Sequence, residues 1–174
     1  QMHVCDPACG SGGFLIETLK LGKQNWKITG FEIDKRMAWV AQMNIIMHGG
    51  NIDAIRYLND GGSLSCSPKV NNTIPKSGFD IIITNPPFGS DFSDKTSLPS
   101  YELGKGKTSR RRGVLFIERC IKWLKNGIGR LAILVDDSIL NGKTNHDVRE
   151  FIFRYCIIEA IISLPEVTFK PYAS

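Results

Sequence analysis

Met2-His3-Val4-Cys5-Asp6-Pro7-Ala8-Cys9-Gly10-Ser11-Gly12-Gly13-Phe14-Leu15 runs from a strand-like stretch over residues 2–5, through a glycine-rich turn, into a helix-like stretch over 14–21. A strand that feeds a helix through a tight turn is the first half of a strand–helix–strand unit. The rest of the chain repeats the alternation. A second strand is predicted over 26–33, with Asp34 capping a helix over 35–48. A short strand follows at about 53–58, then a loop over 61–77 rich in Gly, Ser, Pro and Asn. Further strands are predicted at 79–84, 129–135 and 156–164, with helices over about 114–125 and 145–155 and a long polar loop over 89–113. Alternating strands and helices predict an α/β fold with a mostly parallel sheet and helices on both faces. No internal repeat is visible.

In such sheets ligands bind beyond the carboxyl ends of the strands, near the point where strand order reverses. Polar groups stand at four successive strand ends: Asp6, Glu32, Asp60 and Asn85. The turn Asp6 to Gly13, through Ala8, Cys9, Gly10, Ser11 and Gly12, lets backbone approach a ligand closely. It does not fit the dinucleotide fingerprint, because Leu15 stands at the third glycine position. Asp6 would repel a pyrophosphate and suits a ligand with a positive amino group. Glu32, with Ile33 beside it, lies about 20 residues beyond the turn, where an acid can accept from ribose hydroxyls. Asp60 could accept from an adenine amine, although an aspartate before glycine also suits a plain turn, and Asp53 competes if the third strand is misplaced.

The fourth strand end is the most specific. Asn85-Pro86-Pro87-Phe88 closes the apolar run Phe79 to Thr84. Each proline holds the residue before it extended. The result is a stiff arm with the Asn85 amide carbonyl, the Pro86 main-chain carbonyl and the Phe88 ring. Two carbonyls can accept both hydrogens of an exocyclic amine while the ring stacks on its base, which points to chemistry on a nucleobase amino group.

Composition bounds these readings. The 174 residues suit a single domain with a substantial core, and 42% hydrophobic and 22% charged content is ordinary. A net charge of +5 and a pI near 9.0 permit a polyanionic partner without requiring one. Five cysteines at scattered spacings match no zinc pattern and predict reduced, buried thiols in a cytoplasmic protein. No leader or membrane-length apolar run is visible. Gly142-Lys143-Thr144 and Gly106-Lys107-Thr108 lack the glycine of a phosphate-binding loop, since Asp137 and Tyr101 occupy its position. Arg110-Arg111-Arg112 suits either phosphate contacts or a solvated helix start. The chain opens at Gln1 inside a strand-like run and stops at Ser174 without a closing element, so it reads as a piece of a longer chain.

Three segments together carry a family resemblance: Asp6 to Leu15, Gly30-Phe31-Glu32-Ile33-Asp34, and Asn85-Pro86-Pro87-Phe88-Gly89-Ser90. In this order and spacing the chain resembles the N6-adenine DNA methyltransferases, above all the modification subunits of type I restriction enzymes. Gly129 to Val135 and Ile161 to Pro165 fit as well. The resemblance implies a Rossmann-like S-adenosylmethionine-dependent methyltransferase fold, truncated at both ends, with residues 1–174 as catalytic domain. S-adenosyl-L-methionine would be the cofactor, held by the glycine turn at its methionine part, Glu32 at its ribose and Asp60 at its adenine. The substrate would be an adenine flipped from double-stranded DNA, gripped by Asn85 and Pro86 and stacked on Phe88. Separate specificity and restriction subunits would be the partners, with no metal and no membrane. An alternative is methylation of another amino nitrogen, in an RNA base or a protein glutamine, or a non-catalytic DNA- or partner-binding role. The segment Val135-Asp136-Asp137 carries an aspartate where the family usually has proline. The family's upstream segment, and a strand inserted antiparallel between 129–135 and 156–164, are missing. Their loss predicts unpaired edge groups and an isolated piece that is unstable or inactive.

Overall fold

A computed structural model describes residues 1–21, 26–59, 61–165 and 168. In chain order the elements are β1 (Met2–Asp6), α1 (Gly13–Lys20), β2 (Trp26–Glu32), α2 (Lys35–Met47), β3 (Ile55–Tyr57), α3 (Pro68–Asn71) and β4 (Ile81–Thr84). After these come β5 (Asp91–Phe92), β6 (Arg110–Arg111), α4 (Arg112–Trp123), β7 (Arg130–Ile133), α5 (Asp137–Asn141) and α6 (His146–Tyr155). Five strands form one sheet in the order β3-β2-β1-β4-β7, every pair parallel. Order reverses between β1 and β4, which sets the binding crevice beyond Asp6 and Thr84.

Alternation along the strands fills two apolar layers. On β1, Val4 joins Ile28, Leu15, Ala38, Ala41 and Ile45 under α1 and α2, while Cys5 joins Phe31, Ile82, Cys120 and Trp123 under α3 and α4. On β4, Ile81 and Ile83 face the first layer and Ile82 the second. Side chains alternate because successive Cβ atoms on a strand point to opposite faces. Both faces are therefore covered, as the alternating sequence predicts. Asp34 caps α2 by accepting from the backbone N–H of Arg36 at 2.8 Å and Met37 at 2.9 Å. These bonds hold its carboxyl below the usual carboxylate range.

Three expectations change. The strand predicted over 156–164 does not form: among the described residues the segment pairs with no strand, and Ile157, Ile161 and Ile162 are largely exposed. β-Branched residues favour extended backbone, but a strand needs a neighbour to complete its ladder. Among the described residues β7 pairs only with β4, so no ladder reaches 156–164. The third strand is shorter than expected, because a 3₁₀ turn over Ile52–Ala54, capped by Asn51, precedes it. The polar loop over 89–113 is ordered. It contains the antiparallel β5–β6 ribbon, and Glu118 and Arg119 of α4 pin it and the loop over 61–77 to the core.

Those two anchors are buried charges with several partners each. The Glu118 carboxylate accepts from the backbone N–H of Glu102 at 2.7 Å and Leu103 at 2.8 Å and pairs with Lys122. Arg119 donates to Tyr101 Oη at 2.7 Å and to the carbonyls of Leu64 at 3.1 Å and Ser65 at 3.2 Å. Its guanidinium lies 4.9 Å from the Tyr101 ring centroid and 5.2 Å from that of Trp123. Among the described residues no helix is long and apolar enough to cross a membrane.

Candidate functional site

The turn after β1 is built on its own backbone. Gly12 N–H donates to the Cys9 carbonyl at 2.7 Å and Cys9 N–H to the Phe31 carbonyl at 2.9 Å. Gly12, the cap residue just before α1, sits at φ +87°, a conformation that L side chains rarely adopt. Gly30 on β2 lies directly beneath the turn. A Cβ there would come within 2.7 Å of Leu15 Cδ1 and 2.9 Å of Cys9 Sγ. Cys9 is thus a packing residue, and burial pushes its thiol well up, away from nucleophilic use.

Glu32 ties the turn to the second strand end. One carboxylate oxygen accepts from Gly10 N–H at 2.9 Å, and the other accepts from Ile33 and Asp34 N–H, each at 2.8 Å. Two carboxylate oxygens offer about four acceptor positions, so three backbone bonds leave one position, on the oxygen shared with Gly10. Asp6 is buried and turned inward. Its Oδ1 accepts from Thr84 Oγ1 at 2.7 Å and from Ala8 N–H at 3.0 Å. Burial pushes its carboxyl up to about 7, against the opposing pull of these two bonds.

The Asn85–Phe88 arm is fixed at both ends. Before it, Thr84 donates to Asp6, and its carbonyl accepts from Leu134 N–H at 3.1 Å. After it, Gly89 turns at φ +75°, and the Ser90 carbonyl accepts from Arg112 N–H at 2.9 Å. Asn85 and Phe88 are exposed and Pro86 is buried.

A cavity of about 210 Å³ joins these elements. Asn85 and Pro87 of the arm, Pro7 and Ala8 of the turn, and Glu32 and Ile33 of β2 and its end all line it. Asp6, Cys9, Gly10, Ser11, Gly12, Gly13, Pro86 and Phe88 do not. The expectation that Asp6 faces a ligand's amino group therefore differs from the geometry, in which its carboxylate joins the turn to the arm. Asp60 lies outside the described residues, while its neighbours Gly61 and Gly62 line the cavity. Asp53 sits in the 3₁₀ turn before β3, away from the cavity.

Sequence reasoning missed Ser63, Arg112 and Phe116 as lining residues. Ser63 Oγ donates to the Pro7 carbonyl at 2.5 Å, which locks the loop after β3 against the first turn. Arg112 belonged to a basic run with two open readings, and it is the first residue of α4. Only the fold separates it from Arg110, whose guanidinium turns to Asp147 at 2.8 Å and 2.9 Å.

The sequence profile of the family described as N-6 DNA Methylase matches residues 1–173. The methylase subunit of the Escherichia coli K12 type I restriction enzyme EcoKI is 31% identical over 185 residues, covering 93% of this chain and 32% of its own length. The type II methyltransferase M.VspI of Vibrio sp. strain 343 is 30% identical over 152 residues, covering 86% of this chain and 35% of its own. A solved Listeria monocytogenes structure, assigned to the class I S-adenosylmethionine-dependent methyltransferases, superposes with a TM-score of 0.80 at 26% identity. It covers 99% of this chain and 50% of that one. The type I restriction-modification methyltransferase subunit of Streptococcus thermophilus shares the fold, with a TM-score of 0.70 at 22% identity over 88% of this chain and 33% of that one. The chain spans about a third of the length of both curated relatives.

Proposed function

This chain belongs to the N-6 DNA methylase family, and from that premise we propose that the protein carrying it methylates N6 of adenine in double-stranded DNA within a restriction-modification system. The observation that carries the reading is the shared cavity, which sets the Asn85–Pro87 arm against Glu32 and the turn after β1. Specificity and restriction subunits are the proposed partners, and S-adenosylmethionine is the proposed methyl donor.

The cavity fits a nucleoside-bearing group. Glu32 keeps one acceptor position beside Gly10, and Phe31, Ile33 and Phe116 supply apolar walls. Gly62 lies so close to Ile33 that an added Cβ would sit 3.2 Å from the Ile33 Cβ, and its φ of +59° is one that L side chains rarely adopt, so a side chain here would be strained and would have to shift Ile33. Glu32, Ile33, Ala8 and the Gly61–Gly62 backbone would hold the group, with Asp60 a further candidate. When bound, S-adenosylmethionine supplies a sulfonium methyl.

The chain's own residues act on the adenine. Flipping the base costs a few kcal/mol, and stacking on Phe88 returns about 1–3 kcal/mol. The Asn85 side-chain carbonyl and the Pro86 main-chain carbonyl accept the two N6 hydrogens. The amine is a poor nucleophile because its lone pair is delocalised into the ring. Fixed acceptors on both hydrogens favour a tetrahedral nitrogen and localise that lone pair. The prolines keep the acceptors in place, so little reorganisation is needed at the reacting centre. Asp6 acts at one remove, as a positioning residue that holds Thr84 and so the base of the arm.

The test uses the full-length protein and labelled donor on DNA, RNA and protein substrates. DNA is expected to take the label at adenine N6. Asn85→Ala should abolish transfer while leaving donor binding within about threefold. Transfer by Asn85→Ala at the wild-type rate would overturn the mechanism, and label in RNA or protein alone would overturn the substrate.

A further inference from the structure

We propose that a second cavity, between the β5–β6 ribbon and the α5–α6 corner, holds a DNA backbone phosphate close to the target adenine. The proposal rests on the DNA-methylation reading and deepens it. The cavity measures about 360 Å³, and donors dominate its lining: Ser109, Arg110, Arg111, Ser138, Thr144 and Asn145. Among the described residues it shares no lining residue with the cavity of Glu32 and Asn85.

Arg110 is the most firmly placed cation of the lining. Its Nε is buried and, among the described residues, has no hydrogen-bond partner. An unpaired buried donor costs about 1–3 kcal/mol, more when it is charged. The guanidinium is nevertheless rigidly placed, because Nη2 grips both carboxylate oxygens of Asp147. Lys107, 3.8 Å from Asp147, helps Arg110 to balance that acid. Of the remaining lining charges, Arg111 is exposed and positive, while Asp91 accepts from Ser109 Oγ at 3.4 Å. A single lining carboxylate is a poor cation site. A fixed Arg110 guanidinium, the exposed Arg111 and the Ser138 and Thr144 hydroxyls match an acceptor-only oxyanion.

Position identifies the oxyanion as a backbone phosphate. β5 starts three residues after Phe88, and three residues span at most about 10 Å. Arg112 N–H binds Ser90 between the arm and the ribbon, and Asp91 pairs with Arg111 across the ribbon. A base gripped by the arm would thus carry its own strand past this cavity. Contacts of this kind fix register without reading sequence.

The experiment is a salt titration of duplex DNA binding by the full-length protein, comparing wild type with Arg111→Gln and Thr144→Val. Both side chains are exposed, so neither change opens the core. Arg111→Gln is expected to weaken duplex binding about tenfold and to lower the slope of log affinity against log salt by about 1. Thr144→Val should weaken binding with an unchanged slope, and donor affinity should stay at the wild-type value in both. Wild-type affinity and slope in both variants, with DNA methylation intact, would refute the phosphate site alone. Failure of the wild type to bind or methylate DNA would instead refute the functional reading on which the site rests.

Discussion

Asp6→Asn should change how stability depends on pH, and the structure gives the size of the effect. Asp6 is 2% exposed, and burial raises its carboxyl from 3.8 to about 7. Below the unfolded value both states hold the proton, and Asp6 makes stability insensitive to pH. Between about 4 and 7 the unfolded chain releases the proton while the folded chain keeps it, so stability falls as pH rises. Above about 7 both states are ionised and the loss is complete. Three units at about 1.4 kcal/mol each set the total near 4 kcal/mol. Asparagine keeps the oxygen that accepts from Thr84 and Ala8 but cannot ionise. Its extra N–H pair, left unsatisfied, costs about 1–3 kcal/mol. The variant should therefore equal or fall below wild type near pH 5 and gain about 2–3 kcal/mol on it by pH 8. Urea unfolding of the full-length protein at both pH values, followed by tryptophan fluorescence, reads the difference. A variant–wild-type difference that does not change with pH would refute the burial of an ionisable Asp6.

Two further outcomes test the scaffold around the site. Arg119→Met keeps much of the apolar stem but strips donors from Leu64, Ser65 and Tyr101; it should cost about 2–4 kcal/mol. Hydrogen exchange should then accelerate in 61–67 and 98–104 before it does in β1 and β2, and unchanged protection of those loops would count against the anchor. Gly30→Ala places a Cβ within 2.7 Å of Leu15, 2.8 Å of Ile55 and 2.9 Å of Cys9. This overpacking should cost about 1–3 kcal/mol and weaken donor binding by displacing the turn, both measurable by thermal shift with and without donor. A melting temperature equal to wild type would mean that the turn has slack which these distances deny.

Much of the architecture is legible in local sequence because its causes are local. Alternation of Val4 with Cys5, and of Ile81 with Ile82, assigns strands with two buried faces, since a strand's side chains must alternate. Asp34 reads as a cap because its side chain needs only the two amides that follow it. The turn from Asp6 to Gly13 and the doubled proline of the arm announce themselves by residue types that few other conformations require. The stretch 156–164 misled for the complementary reason: its isoleucines favour extended backbone, but among the described residues no ladder partner reaches it.

The sequence by itself determined the order of the main strands and helices through α6, the stiffness of the Asn85–Phe88 arm and the presence of acids at successive strand ends. Each follows from the preferences of a few adjacent residues. Only the tertiary structure decided how those groups divide their work. It turned Asp6 away from the cavity onto Thr84, 78 positions along the chain, and set Glu32 against Gly10, 22 positions away. It also parted Arg110 from Arg112, two positions apart in a basic run but lining different cavities. A hydrogen-bond partner supplied by a distant strand or helix leaves no mark on the neighbouring sequence, because its position is fixed by how the sheet and helices pack.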